Sequence, residues 1–112
     1  MANRGRLNLA TRPPHTIEVG CSIWRHHAYV TLDGRRVRDD LEWDPPGRDW
    51  TMDLPGLPEN RLQVQVRCFF DKVHYPHSHI VVAKWGDARL VIPPAGMDPE
   101  PMMRSATPPF SV

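Results

Sequence analysis

Histidines are the residues of this chain whose type and spacing could do chemistry. Three of the six lie close together, at His74, His77 and His79. In an extended chain, His77 and His79 point to the same side with Cα atoms about 6.6 Å apart. Two imidazoles at this spacing can converge on one zinc or iron ion, with His74 or His27 as a third ligand. The alternative interpretation is a polar loop whose histidines cap backbone groups or face solvent.

The segment His77-Ser78-His79 resembles the His-x-His segment of cupin metal sites. The resemblance implies a metal-binding protein or a metal-dependent enzyme, with Lewis-acid or metal-hydroxide chemistry on a small substrate. It covers this segment alone, because cupins add a Gly-rich stretch before it and a glutamate after it, and residues 81–85 contain no glutamate. His26 and Asp71 are further candidates for the third ligand.

The two cysteines have two interpretations. Cys21 and Cys68 both fall on the apolar faces of alternating segments. They could form a disulfide between two sheets, or remain two buried thiols. A reducing compartment favours the thiols over the disulfide.

Charged residues form no complete catalytic constellation. The acidic residues of the central region alternate with basic ones, which is typical of a solvated hairpin surface. These residues are Asp39, Asp40, Glu42 and Asp44, interleaved or adjacent with Arg35, Arg36 and Arg38. The formal net charge of +1 disfavours nucleic-acid binding, which usually requires a basic excess. The pattern therefore favours a protein that is not an enzyme.

Tryptophan suggests a third function, because its flat ring stacks on sugar rings and also anchors protein interfaces. Trp43 and Trp50 lie in phase with apolar neighbours and are predicted to be core residues. Trp24 and Trp85 are the candidates for an exposed binding platform. Carbohydrate binding is thus an alternative to metal binding and to protein–protein contact.

The elements that must position these residues are β-strands. Residues 61–70, RLQVQVRCFF, alternate apolar and polar side chains, which is the period of a strand. We predict a long central strand here, with one face on the core. Six further strands are predicted at residues 16–24, 27–32, 35–43, 49–54, 80–85 and 88–92.

Several details of these segments carry structural expectations. Residues 80–85 are apolar on both faces, which predicts a strand that is covered on both sides. Asp39 interrupts the apolar face of its segment, which predicts an edge strand protected by an inward charge. Gly86-Asp87 predicts a tight hairpin turn. Residues 55–60 and 71–78 are predicted to be loops.

Seven strands without any helical period predict an all-β fold, a small antiparallel sandwich or, alternatively, a small β-barrel. The step from Trp50 through residues 55–60 into the 61–70 strand resembles the corner between the fifth and sixth strands of an immunoglobulin-like domain. The resemblance covers about a quarter of the chain and implies an immunoglobulin-like sandwich of about seven strands. The tryptophan and tyrosine positions of immunoglobulin domains are not matched, since Val66 occupies the tyrosine position.

One domain is predicted over residues 15–94, with flexible arms at 1–14 and 95–112. The second arm is rich in proline and methionine, and such a segment loses little entropy when it binds. The side chains expected to anchor it on a neighbouring subunit or partner are Met97, Met102, Met103, Phe110 and Val112.

These features favour a non-enzymatic β-sandwich module for protein–protein contact or assembly. Such a module would suit a structural or accessory component of a larger particle. The start of the chain has no apolar signal segment, and no apolar run is long enough to span a membrane. We therefore expect a cytoplasmic protein, or one assembled into a particle.

Overall fold

The computed structural model describes residues 2–22, 25–71, 75–93, 98–106 and 110. Two four-stranded antiparallel sheets pack on each other around a shared hydrophobic core. Strand order follows the chain in both, as β1-β2-β3-β4 and β5-β6-β7-β8. The elements are β1 Ala2–Leu9, β2 His15–Ser22, β3 His27–Leu32, β4 Arg35–Glu42, β5 Gly47–Leu54, β6 Leu57–Asp71, β7 Tyr75–Trp85, β8 Ala88–Ile92 and α1 Pro99–Ser105.

The predicted antiparallel β-sandwich is confirmed, and the two sheets do not close into a barrel. Each sheet is a simple meander built from one half of the chain. Immunoglobulin domains instead distribute successive strands between both sheets. The likeness to that family is therefore limited to two packed antiparallel sheets, and the described residues form eight strands rather than seven.

The structure differs from prediction at the N-terminus, where a strand replaces the expected arm. Strand β1 pairs with β2 along its whole length. Leu7 and Leu9 are buried, with 7% and 2% of their surfaces exposed. Gly5 lies against β8, where a Cβ atom would come within 2.8 Å of Leu90. The pattern was missed because only two inward leucines mark this strand among polar residues.

Strand β6 confirms the long predicted strand and extends it at both ends. Leu62, Val64 and Val66 are fully buried on the inner face. The expected loop before it shrinks to a two-residue turn, and Leu57, which is 4% exposed, already belongs to the strand. The predicted histidine-rich loop at 71–78 also shortens, because β6 runs to Asp71 and β7 begins at Tyr75.

Strand β7 is covered on both faces, as its composition predicted. Val81 and Ala83 face the core between the sheets. Ile80 and Val82 face outward, yet both have 0% of their surfaces exposed. Their cover is the C-terminal segment, defined here as residues 98–106 and 110. The second expected arm therefore folds, in its described part, onto the outer face of its own sheet.

Strand β4 is an edge strand, as predicted, but the inward charge is not present. Between the pairs Ala28↔Leu41 and Val30↔Arg38, β4 uses one residue more than β3, which is a β-bulge. The extra residue shifts the alternation, so Asp39 is exposed to solvent. The edge is thus irregular and charged, which also discourages pairing with other strands.

Strands β5 and β6 approach each other closely at Gly47. Its φ is +143°, and a Cβ atom there would lie 2.0 Å from the carbonyl oxygen of Val66. We expect Gly47→Ala to lower the free energy of unfolding by about 3 kcal/mol or more, through strain and overlap together. The matched control is Gly34→Ala, where φ is +83° and a Cβ atom has open space.

The control should cost about 1 kcal/mol, since only the left-handed conformation is penalised. Urea denaturation of both variants measures the difference. Equal losses would contradict the close approach of the two strands.

Candidate functional site

One end of the sandwich interior holds rings from both sheets, here called the imidazole cluster: His26, Trp43, Trp50 and His79. His26 stacks on Trp43 with ring centroids 5.9 Å apart. The ring of His79 lies 4.9 Å from that of His26 and 5.7 Å from that of Trp43. Trp50 meets Trp43 edge-on at 6.2 Å. A cleft of about 630 Å³ opens beside His26 and Trp43.

Sheet register explains why His79 is inside rather than on a loop. It pairs with Cys68 across β6 and β7, at a position in phase with the core residues of both strands. The side chain is 2% exposed. His26 reaches the same space from the turn before β3, where its φ of +48° redirects the chain. Both imidazoles therefore help to close the end of the hydrophobic core.

Among the described residues predicted as metal ligands, His26 and His79 lie close together, with ring centroids 4.9 Å apart. His27 lies in the other sheet and contacts the backbone carbonyl of Asp39. His74 and the side chain of His77 lie outside the described residues. Within the part of the chain that the structure describes, no group of three or more His, Cys, Asp or Glu side chains is placed to hold a metal ion. Zinc or iron binding stays a prediction.

The two thiols are not joined by a disulfide. Cys21 is buried on β2, and Cys68 is half-buried on β6. Burial raises the pKa of the Cys68 thiol to about 11, although the side chain of Trp43 and the charge of Arg67 oppose the rise. A thiol with this pKa is a weak nucleophile at neutral pH, because the thiolate is the reactive form.

The raised pKa of Cys68 predicts slow alkylation and a pH-dependent stability. In a Cys21→Ala background at pH 8, iodoacetamide should react about a hundredfold more slowly with the folded than with the unfolded protein. The folded state favours the protonated thiol of Cys68. The contribution of this thiol to the free energy of unfolding is therefore complete below pH 9 and declines as the pH rises towards 11. Denaturant melts from pH 8 to 11 should show a steeper loss than those of Cys68→Ala. Parallel curves would contradict the shift.

The burial of each described tryptophan shows whether it is a core residue or could form an exposed binding platform. Trp43 is buried and Trp50 packs against the core, which confirms the prediction for both. Trp85 is 7% exposed, so it does not offer the flat exposed face that sugar stacking requires. Trp85 lies on the inner face of β7 because it alternates in phase with Val81. The sequence alone does not show this, since both faces of the strand are apolar. Trp24 lies outside the described residues.

Three of the predicted C-terminal anchors pack on the protein itself, while Met97 and Val112 lie outside the described residues. Met102 and Phe110 are each 9% exposed, and Met103 is half-buried beside them. The ring of Phe110 lies 5.0 Å from the guanidinium carbon of Arg67, which is a cation–π contact. Arg67 is itself bound by Asp49 through two hydrogen bonds of 2.5 and 3.2 Å. The ion pair between Arg67 and Asp49 thus supports the packing of Phe110, and with it of the C-terminal segment, on the sheet.

Removing the carboxylate tests that support. Asp49→Asn should lower the free energy of unfolding by about 2 kcal/mol, because Arg67 has only 4% of its side chain exposed and loses the countercharge that Asp49 supplies. The matched control is Asp53→Asn, whose pair with Arg61 is largely exposed and should be worth at most about 0.5 kcal/mol. Thermal melts of both variants give the comparison. A loss in the control as large as in Asp49→Asn would contradict it.

A second candidate site, here called the outer-face groove, lies on the solvent side of the second sheet. Its floor is one row of side chains that crosses all four strands in register: Thr51, Gln63, Lys84 and Arg89. The groove has a volume of about 730 Å³. One wall is formed by the β7–β8 turn with neighbouring β6 residues, and the other by the C-terminal segment. The wall residues are Asn60, Arg61, Gly86, Asp87, Ala88, Glu100, Met103, Arg104 and Phe110.

Positive charge exceeds negative charge in this groove. The cations are Arg61, Lys84, Arg89 and Arg104, and the acids are Asp87 and Glu100. Arg104 lies 3.8 Å from Glu100, with both side chains largely exposed. Burial, together with the charge of Arg89, lowers the pKa of Lys84. Lys84 and Arg89 place two cationic side chains on the floor of the groove.

Sequence reasoning missed this groove because its floor comes from four separate strands. The signal was present in one hairpin, however. The Gly86-Asp87 turn pairs Trp85 with Ala88, and the next pair out is then Lys84 with Arg89. Two cations at directly opposed positions on an outer face are unusual, because they repel each other.

Comparison with known proteins adds no functional information. No protein-family model, curated protein or solved structure matches the chain. Among the described residues, no helix combines the length and the apolar character needed to cross a membrane. Function must therefore be argued from the contacts of this chain.

Proposed function

We propose that this chain is a non-enzymatic β-sandwich module for protein–protein contact and assembly. The contact is made when the C-terminal segment of one copy covers the second sheet of a neighbouring copy. The observation that supports this proposal is that one chain carries two surfaces that fit each other. An apolar strip on the outer face of β7 and β8 needs a cover, and a segment of the same chain supplies that cover.

The strip consists of Ile80, Val82 and Val91. Ala106 and Phe110 close over it and are themselves 7% and 9% exposed. Without the segment, this outer face would present contiguous apolar surface to water, which soluble proteins avoid or use for binding. The hydrophobic contribution comes from removing the strip from water and does not depend on which copy supplies the cover.

The segment has no independent fold that would hold it in place. Helix α1 spans seven residues, too few for stability in isolation. Its start is capped by Asp98, whose side chain accepts a hydrogen bond from the Glu100 backbone N–H at 3.1 Å. Packing on the sheet must supply the rest of its stability. Exchange of such an element between copies is a low-cost route to oligomers.

The geometry of exchange decides the kind of assembly. Reciprocal exchange gives a closed dimer, and exchange in one direction gives rings or open chains. Either result fits a structural component of a larger particle. The proposal includes the expected arm lying on a neighbour, and its docking site would be the strip on β7 and β8.

Chemical cross-linking of full-length variants tests the exchange. Arg89 and Met103 are suitable sites, because the Arg89 Nη2 atom lies 3.6 Å from the Met103 Sδ atom. One variant carries Arg89→Cys and the other Met103→Cys, both in a Cys21→Ala, Cys68→Ala background. The two are mixed and treated with a short bismaleimide. We expect a covalent heterodimer whose yield rises with protein concentration.

The control replaces Arg89→Cys by Arg35→Cys, an exposed position in the other sheet, and should give no heterodimer above random collisions. Mass spectrometry identifies the linked peptides. The proposal fails if the Arg89→Cys and Met103→Cys mixture gives no more heterodimer than this control at about 1 mM protein. It also fails if linkage is found only within single chains of a variant that carries both cysteines.

A further inference from the structure

The outer-face groove offers a second interaction that goes beyond assembly through the C-terminal segment. Lys84 and Arg89 stand directly opposite each other on neighbouring strands. Like charges at such positions destabilise a sheet by a few tenths of a kcal/mol up to about 1 kcal/mol. An anionic group bound between them would convert this repulsion into attraction to both cations.

The protonation behaviour of the floor agrees with that geometry. Burial, and to a smaller degree the charge of Arg89, lowers the pKa of Lys84. Both causes disfavour the ammonium form of Lys84. A carboxylate seated beside Lys84 would restore the preference for the charged amine.

The remaining groups of the groove distinguish between kinds of anion. Asn60, Gln63 and Thr51 supply both hydrogen-bond donors and acceptors, which matches peptide groups. Asp87 and Glu100 accept N–H donors, which the backbone of a peptide supplies and a phosphodiester backbone lacks. The described groove residues therefore fit a polypeptide better than a nucleic acid.

An apolar contact is also available. Met103 forms part of the groove wall beside the mostly buried Phe110. Methionine adapts its shape to irregular apolar partners. A side chain adjacent to a bound carboxylate could pack there.

We propose that the outer-face groove binds an acidic, extended polypeptide segment, which crosses the four strands with a carboxylate between Lys84 and Arg89 and an apolar side chain against Met103. Four strands span about 14 Å from first to last, which matches about four extended residues. Both the floor and the walls belong to one copy of the chain in this structure. The inference therefore holds whether or not the C-terminal segment is exchanged.

Fluorescence anisotropy with the full-length protein tests the proposal. The probe is a fluorescein-labelled hexapeptide of alternating Glu and Leu, and the comparison probes are the same peptide with Gln for Glu and an oligonucleotide of equal charge. The acidic peptide should bind best at low salt. Lys84→Glu and Arg89→Glu should each weaken its binding at least about tenfold. Each places opposite charges across the two strands, so folding is preserved, as a thermal melt will verify.

The matched control is Arg35→Glu, which makes the same charge change on the other sheet. It should alter the affinity less than about twofold. The proposal is overturned if the control weakens binding as much as the groove variants. It is equally overturned if the oligonucleotide binds as tightly and responds to the same variants, or if the acidic peptide shows no binding up to about 1 mM. The cross-copy linkage experiment does not involve this ligand, so each proposal can fail without the other.

Discussion

Burial of both faces of β7 is the constraint on which the rest of the structure depends. A strand with Val81 and Ala83 on one side and Ile80 and Val82 on the other needs apolar cover on each. The first sheet supplies one cover and the C-terminal segment supplies the other. A domain of this size has little surplus apolar burial, so losing either cover removes a large share of its stability. The seat of the segment, including the ion pair beneath Phe110, is therefore part of the core in energetic terms.

The same constraint connects the two surfaces that carry the proposals. The segment covers the apolar end of the outer face and leaves the polar end open. Its helix then stands as a wall beside Lys84 and Arg89, which is why a groove exists there at all. A flat, uncovered sheet would present the same cations without any enclosure. Assembly and ligand binding would thus share one structural element, and Met103 and Phe110 would take part in both.

Period and turn chemistry determined most of what could be predicted from the sequence. The alternation in β6 and the apolar residues on both faces of β7 predicted both strands correctly. The composition of β7 also predicted that both of its faces are covered. All of these features depend on local patterns. Strand β1 was not predicted, since two leucines among polar residues form too weak a pattern. The position of His79 depended on register with Cys68, and the groove floor depended on register across four strands. Such pairings join residues of different strands, so the alternation within one segment does not encode them. Asp39 shows the converse, because a bulge changed the face that simple alternation assigned to it.

The order of strands has a consequence for how the chain is made. Each sheet is one uninterrupted half of the sequence, so hydrogen-bonded neighbours are close along the chain and can pair early. During synthesis, the first four strands emerge together but expose the apolar face that the second sheet will cover. Strand β1 then packs beside β8, which comes after the other described strands in the chain. Completion of the core, and of its final cover, must therefore wait until the C-terminal segment has left the ribosome.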